Sequence, residues 1–151
     1  MDKIKICLTS SAGGHIKELQ QLNKFYLNYP HYFVTANRIN TQNLTNKQGV
    51  YFVSVPSRNP LKFLLNFLQS LVIFLKENPN VIISTGADTS LATCYIGKLF
   101  GKKIIFIESF CRIKEPSLTG KLVYPIADLF IYQWKYLSKY YPKGKYGGSI
   151  F

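Results

Sequence analysis

Three short stretches hold residue types that can bind an anion or move a proton. The first, Thr9-Ser10-Ser11-Ala12-Gly13-Gly14-His15, joins hydroxyls to paired glycines and ends on a histidine. Adjacent glycines let the main chain come close to a ligand, and a helix starting there turns its positive end toward it. Phosphate or pyrophosphate suits such a loop, with Ser11, Gly13 and Gly14 as its binding residues. The same dipole disfavours a charged His15, which leaves a neutral donor or base. The second stretch, Ser84-Thr85-Gly86-Ala87-Asp88-Thr89-Ser90, offers hydroxyls, a glycine and another helix start, so Thr85 and Gly86 are candidate anion ligands. The third, Ile107-Glu108-Ser109-Phe110-Cys111-Arg112, places an acid after a buried run, where it could orient sugar hydroxyls or act as a base. Ser109 and Arg112 stand beside it. Each stretch also has a plainer reading: a tight turn at Gly13-Gly14, a helix cap at Asp88 or Thr89, and a capping Glu108 or a Glu108–Arg112 pair.

Familiar phosphate loops do not fit. The dinucleotide fingerprint needs spaced glycines and an acid after the second strand, but here the glycines are adjacent and that strand ends in Asn37-Arg38. The P-loop needs a lysine directly after its last glycine, and His15-Ile16-Lys17 follows Gly14 instead. With two histidines and three cysteines (Cys7, Cys94, Cys111) and no C-x-x-C pair, neither a metal site nor a cofactor is expected. The cysteines read as three reduced, buried thiols of a cytoplasmic protein.

Short apolar runs alternate with helical periodicity, which predicts βα units around a parallel sheet. Strands are expected at Ile4–Thr9, His31–Ala36, Val50–Val55, Val81–Thr85, Lys103–Glu108 and Leu129–Tyr132. Helices are expected at Ile16–Leu27, Leu61–Glu77 after Pro60, Asp88–Phe100 before Gly101, Leu118–Ile126 and Trp134–Tyr140. Asn37–Gly49 reads as a mobile polar loop, and His31, beside Pro30, as a surface residue. In an open parallel sheet the carboxyl ends of the strands hold the ligand, and all three stretches lie at that edge. The whole chain, residues 1–151, reads as one Rossmann-like α/β domain.

At 151 residues with 47% hydrophobic and 17% charged residues, the chain can bury a real core and is not disordered. Nineteen Lys and Arg against seven Asp and Glu give +12, which points to anionic partners: nucleic acid, acidic lipid or phosphorylated molecules. Leu61–Leu75 is strongly apolar, with polar residues Lys62, Asn66, Gln69, Ser70 and Lys76 forming one stripe. It is too short and interrupted to span a bilayer, and reads either as a core helix or as one touching membrane. The tail interleaves aromatics such as Tyr132, Trp134 and Tyr141 with Lys135, Lys139, Lys143 and Lys145, a composition open to bases, membrane interface or protein. Nucleic acid rests on charge and aromatics alone and is not expected as a partner. No signal peptide is expected from the first residues.

Ser10-Ser11-Ala12-Gly13-Gly14-His15, then Glu108-Ser109-Phe110-Cys111-Arg112, Ser117-Leu118-Thr119-Gly120-Lys121-Leu122 and Tyr124-Pro125-Ile126-Ala127-Asp128-Leu129-Phe130-Ile131-Tyr132-Gln133-Trp134, together resemble one glycosyltransferase subunit family. It is the acceptor-side, membrane-associated half of two-chain GT-B enzymes, whose eukaryotic member anchors a UDP-N-acetylglucosamine transferase. Its bacterial members are the capsular and exopolysaccharide proteins of the CpsF, EpsE and PssD type. A more distant similarity is to the N-terminal half of MurG. The resemblance implies the N-terminal half of a GT-B fold, with Gly13, Gly14 and His15 at a lipid-diphosphate acceptor and Glu108 and Ser109 nearby. It further implies a heterodimer with a donor-binding glycosyltransferase chain, a polyprenyl-pyrophosphate-linked sugar as acceptor, and a UDP-sugar reached through the partner. Hexose transfer would proceed with inversion and without a metal, with His15 or Glu108 as base or acceptor orienter. The location implied is the cytoplasmic face of the cell membrane, on anionic lipid; with no N-terminal membrane helix expected, attachment would fall to Leu61–Leu75, basic patches or the partner. The other reading is a non-catalytic scaffold that stabilises or localises the transferase.

Overall fold

The computed structural model describes residues 3–42, 44 and 49–151. Its elements follow the βα alternation: β1 (Ile6–Ser10), α1 (Gly14–Gln20), α2 (Asn23–Tyr26), β2 (His31–Thr35), α3 (Ile39–Gln42), β3 (Val50–Phe52), α4 (Pro60–Glu77), β4 (Val81–Gly86), α5 (Asp88–Leu99), β5 (Lys103–Ile107), α6 (Leu118–Val123), β6 (Leu129–Tyr132) and β7 (Lys145–Tyr146). Lys135–Lys139 forms a 3₁₀ turn between the last two strands. The seven strands order as β3-β2-β1-β4-β5-β6-β7, and every pairing is parallel. Strand order therefore reverses at β1/β4, the place where a doubly wound sheet opens a crevice.

Alternate strand residues build two cores. Cys7, Tyr32, Ile82, Ile104, Phe106 and Phe130 face one layer, with Phe74 of α4, Cys94 and Ile96 of α5 and Val123 of α6. Ile6, Leu8, Phe33, Ile83 and Ile107 face the other, with Ile16 and Leu19 of α1 and Tyr26 of α2. Gly97 lets α5 sit close to the sheet: a Cβ there would lie 2.1 Å from Ile82 Cδ1.

Several expected elements change in detail. The helix foreseen over Ile16–Leu27 is two short ones, because Gln21 and Leu22 bond back three residues and tighten the turn that sends Tyr26 into the core. Ile39–Gln42 is helical where a loop was expected, held by the buried Thr41 hydroxyl between Arg38 N and Ala36 O; residues 43 and 45–48 of that stretch lie outside the described residues. The β7 strand has no apolar alternation to announce it. His31 is half-buried rather than superficial, its Nδ1 at 2.7 Å from Tyr29 O and its ring against Tyr26. Cys7 and Cys94 are buried as expected, whereas Cys111 is exposed.

The largest departure is α4. Asn59 caps it by accepting from Leu61 N and Lys62 N, Pro60 opens it, and Asn78 ends it in a left-handed conformation before Pro79. The middle of its polar stripe, Asn66, Gln69 and Ser70, faces inward, while Lys62 and Lys76 stay exposed. Asn66 and Ser70 are fully buried, Asn66 Nδ2 donates to Ser54 O and Thr89 O, and Gln69 Oε1 accepts from Ser54 N. The leucines point out: Leu61, Leu64, Leu65, Leu68, Val72 and Leu75 are all exposed.

Candidate functional site

The loops after β1 and β4 are tied together at the switch point. A register shift between Thr9 and Ser10 sets Ser10 opposite Gly86, and Ser11 N donates to Gly86 O. Thr85 Oγ1 donates to His15 O at 2.7 Å, and His15 Nδ1 lies 2.8 Å from Thr85 O. A carbonyl only accepts, so in the neutral ring Nδ1 carries the proton and Nε2 keeps its lone pair. Among the described residues Nε2 has no hydrogen-bond partner, and His15 is part-exposed. Gly86 lies beside the ring at φ +104°, a backbone conformation that favours glycine. Gly13 takes φ +92° and ψ −134°, a conformation for glycine only, and a Cβ on Gly13 or Gly14 would meet nothing within 4 Å.

That open side is a cleft of about 380 Å³ lined by Ser11, Ala12, Gly13, Arg38, Asn40 and Asp88 among others. A second hollow, about 580 Å³ and lined by Asn37, Arg38, Ile39, Asn40 and Val55, adjoins it through Arg38 and Asn40. Arg38 brings a permanent cation to the glycine loop, which the sequence reading used only to reject a dinucleotide. Its signal was present: a basic residue directly after the second strand, where α/β folds place ligand contacts. Asp88 is no capping residue for its own helix; its Oδ2 accepts from Ser57 N, at a turn where Ser57 and Arg58 both have positive φ.

Glu108 is placed otherwise than a solvent-facing base requires. It is 1% exposed and its two oxygens receive four donors. Oε1 accepts from Ser109 N at 3.0 Å and Ser117 Oγ at 2.7 Å, and Oε2 from Ser117 N at 3.0 Å and Tyr141 OH at 2.6 Å. Burial raises the Tyr141 hydroxyl above its ordinary range, and the bond to Glu108 adds to that. Gly120 is required beneath them, since a Cβ would lie 2.2 Å from Glu108 Oε2. No Glu108–Arg112 ion pair forms among the described residues; Arg112 is exposed on the loop.

Ser109 also turns inward, its Oγ donating to Glu18 Oε1 at 2.9 Å. Glu18, missed by the sequence reading, is 2% exposed on α1 and also accepts from Phe110 N and Gln133 Nε2. Gln133 Nε2 donates in turn to Glu108 O, and Trp134 Nε1 to Phe110 O. Two buried carboxylates thus brace the third loop from below. Its polar start, Glu18 four residues after Gly14 in an otherwise apolar-faced helix, was the available signal. Of the aromatic tail, Tyr132 and Tyr141 belong to the core and Tyr136, Tyr140 and Tyr146 to the surface.

The chain matches, over residues 5–150, the family described as oligosaccharide biosynthesis protein Alg14 like. It belongs to that family. It is 38% identical over 106 residues to the UDP-N-acetylglucosamine transferase subunit ALG14 of Candida albicans, an alignment covering 66% of this chain and 46% of that protein. For the subunit of the same name from Homo sapiens the identity is 26% over 181 aligned residues, covering 99% and 84%. The chain spans about half the length of the fungal relative. Among solved structures it is similar to Acinetobacter baumannii MurG (TM-score 0.74, 11% identity, 88% of this chain and 42% of that one). It is also similar to a UDP-N-acetylglucosamine 2-epimerase from Rickettsia bellii (TM-score 0.79, 14% identity, 98% and 45%). These likenesses show a Rossmann-like fold matching GT-B-type neighbours.

Within this Alg14-like chain the predicted site residues divide. Ser11, Gly13, Gly14, His15, Thr85 and Gly86 come together at the β1/β4 switch, with Arg38 added across the cleft. Glu108 and Ser109 sit behind the loop as braces, and Arg112 lies on its exposed turn beside a separate surface hollow.

Proposed function

We propose that this chain is the acceptor-side subunit of a two-chain glycosyltransferase. It would bind a polyprenyl-pyrophosphate-linked sugar at the cytoplasmic face of the membrane while a donor-binding partner chain supplies a UDP-sugar. Capsular or exopolysaccharide synthesis is the setting we infer. The observation that carries the reading is His15, held by Thr85 with Nε2 unpartnered among the described residues, on the loop whose Ser11 and Gly13 line an open cleft. The diphosphate would lie against the main chain of Ser11, Gly13 and Gly14, with Arg38 as counter-charge. The acceptor hydroxyl oxygen would attack the anomeric carbon of the donor sugar, UDP would leave, and the hydroxyl proton would pass to His15 Nε2.

The test is sugar transfer from labelled UDP-hexoses to lipid acceptors, with this chain, the donor-binding partner, and both together. Transfer with both chains only, cut by a factor of about 10²–10⁴ in His15→Ala at unchanged melting temperature, is the expected result. Equal transfer by the partner alone refutes it.

A second reading, a non-catalytic scaffold, draws on the saturation of both Glu18 and Glu108 by internal donors. Under it, His15→Ala leaves transfer unchanged while the chain still raises partner stability or membrane recovery.

A further inference from the structure

We propose that the outward face of α4 is a membrane-contact surface, laying the helix in the plane of an anionic bilayer. The proposal deepens the acceptor-side reading above, since a lipid-linked acceptor is met at a bilayer surface. Leu61, Leu64, Leu65, Leu68, Val72 and Leu75 fall within about 100° of arc at 3.6 residues per turn. They are exposed by 78%, 53%, 48%, 50%, 66% and 58%. An ordinary surface helix turns such a stripe to the core; here the core-facing side holds Ile73 and Phe74 with the polar Asn66 and Ser70, and the leucine stripe is left outside. No helix among the described residues is long and apolar enough to cross a membrane, so the geometry that fits is a helix lying on one.

Charge selects the occupant. No acidic residue occurs between Leu61 and Lys76, while Lys62 and Lys76 flank the stripe. The outer side of the neighbouring α5 and α6 continues the pattern, with exposed Leu99 and Leu122 beside Lys98 and Lys121. Apolar ridges rimmed by lysine match acyl chains under anionic headgroups. Position agrees as well. The turn leading into α4 is bonded through Ser57 N to Asp88, which lines the glycine-loop cleft. Ile39, 86% exposed, lines the adjoining hollow. A bilayer against α4 would therefore meet the cleft at its mouth, where a diphosphate on a membrane-embedded chain would arrive.

The experiment is vesicle co-sedimentation of the full chain without any partner, using phosphatidylglycerol-containing and pure phosphatidylcholine vesicles. Wild type should bind the anionic vesicles and weaken with salt. The triple variant Leu65→Glu, Leu68→Glu, Val72→Glu should need about tenfold more lipid or worse, while staying folded with only a small fall in melting temperature because all three side chains are about half or more exposed. A fluorophore on Val72→Cys in a Cys111→Ser background should shift to the blue on vesicles, while one on Lys24→Cys, in the opposite layer, should not. Wild-type binding by the triple variant, equal binding to both vesicle types, or no binding at all would each overturn the proposal. So would sedimentation velocity showing that the stripe pairs two copies of this chain. The function reading is checked separately: transfer with the partner to a short-chain acceptor in detergent should survive in the triple variant. Loss of transfer in wild type with intact vesicle binding would sink that reading and leave the surface standing.

Discussion

Glu108→Gln separates a brace from a base. Each carboxylate oxygen of Glu108 faces one main-chain donor, Ser109 N on Oε1 and Ser117 N on Oε2. Main-chain donors cannot reverse, so whichever way the glutamine amide turns, one buried N–H confronts an NH₂ group. The hydroxyls of Ser117 and Tyr141 can rotate to accept, and rescue part of the network. One stranded buried donor costs about 1–3 kcal/mol, and the remaining bonds fall from charge-assisted to neutral strength. Relief from burying a charge offsets some of this, which leaves about 2–4 kcal/mol. For a domain of this size that is a fall in melting temperature of about 4–16 °C, read by calorimetry or circular dichroism. Sugar transfer by the folded fraction, assayed with the partner below the transition, should drop far less than in His15→Ala. Unchanged stability together with a hundredfold or greater loss of transfer would refute the brace and return Glu108 to the chemistry.

Three further outcomes follow from the packing. A thiol reagent should label Cys111 at once and Cys7 and Cys94 only on unfolding, since burial pushes both of those thiols up to about 12; three fast thiols in the native protein would contradict the two-layer core. Gly97→Ala should destabilise by about 1–3 kcal/mol in urea unfolding, because the new methyl displaces the buried Ile82 side chain and lifts α5; a neutral change would mean that α5 does not rest on the sheet as described. The Ile104 N–H hydrogen bond, with Lys103 and Lys98 beyond it, holds the Asp128 carboxyl below its ordinary value. A carboxyl lowered in the folded state stabilises above its unfolded value, so the urea midpoint gap between wild type and Asp128→Asn should be widest near neutrality and shrink as pH falls below about 4.

The strands and the site edge were legible because a parallel sheet needs buried apolar runs, and Ile4–Thr9, Val81–Thr85 and Lys103–Glu108 stand out as such. The glycine loop was legible because backbone freedom is written in residue type: Gly13 does sit at φ +92°, beside a histidine with one nitrogen free. Charge at Glu108 was visible, but its fate was not. Whether a carboxylate after a buried strand looks out or in depends on donors far along the chain, at Ser117 and Tyr141, and no local pattern reports them. Glu18 was hidden for the same reason, since its partners Ser109 and Gln133 come from other units. The lone basic Arg38 was seen and assigned no task, because its value lies in the cleft that folding builds around it.

The stripe on α4 shows the limit of periodicity most clearly. Helical spacing identifies two faces and leaves open which one meets the sheet. The usual answer, apolar side inward, assumes that helix burial is the only demand on the leucines. In this chain the inward demand is met by polar atoms. Asn66 satisfies carbonyls at Ser54 and Thr89, and Gln69 satisfies the Ser54 N–H, so the linker from β3 and the start of α5 are held by amides that water would otherwise serve. Phe74 and Ile73, with the partly buried Phe67 and Leu71, supply the apolar contact to the first core. The leucines keep about half or more of their surface in water, so replacing them with polar residues should cost far less stability than a polar residue at Ile73 or Phe74. A chain that keeps six large apolar side chains about half or more in water bears a solubility cost, which a surface other than water would relieve.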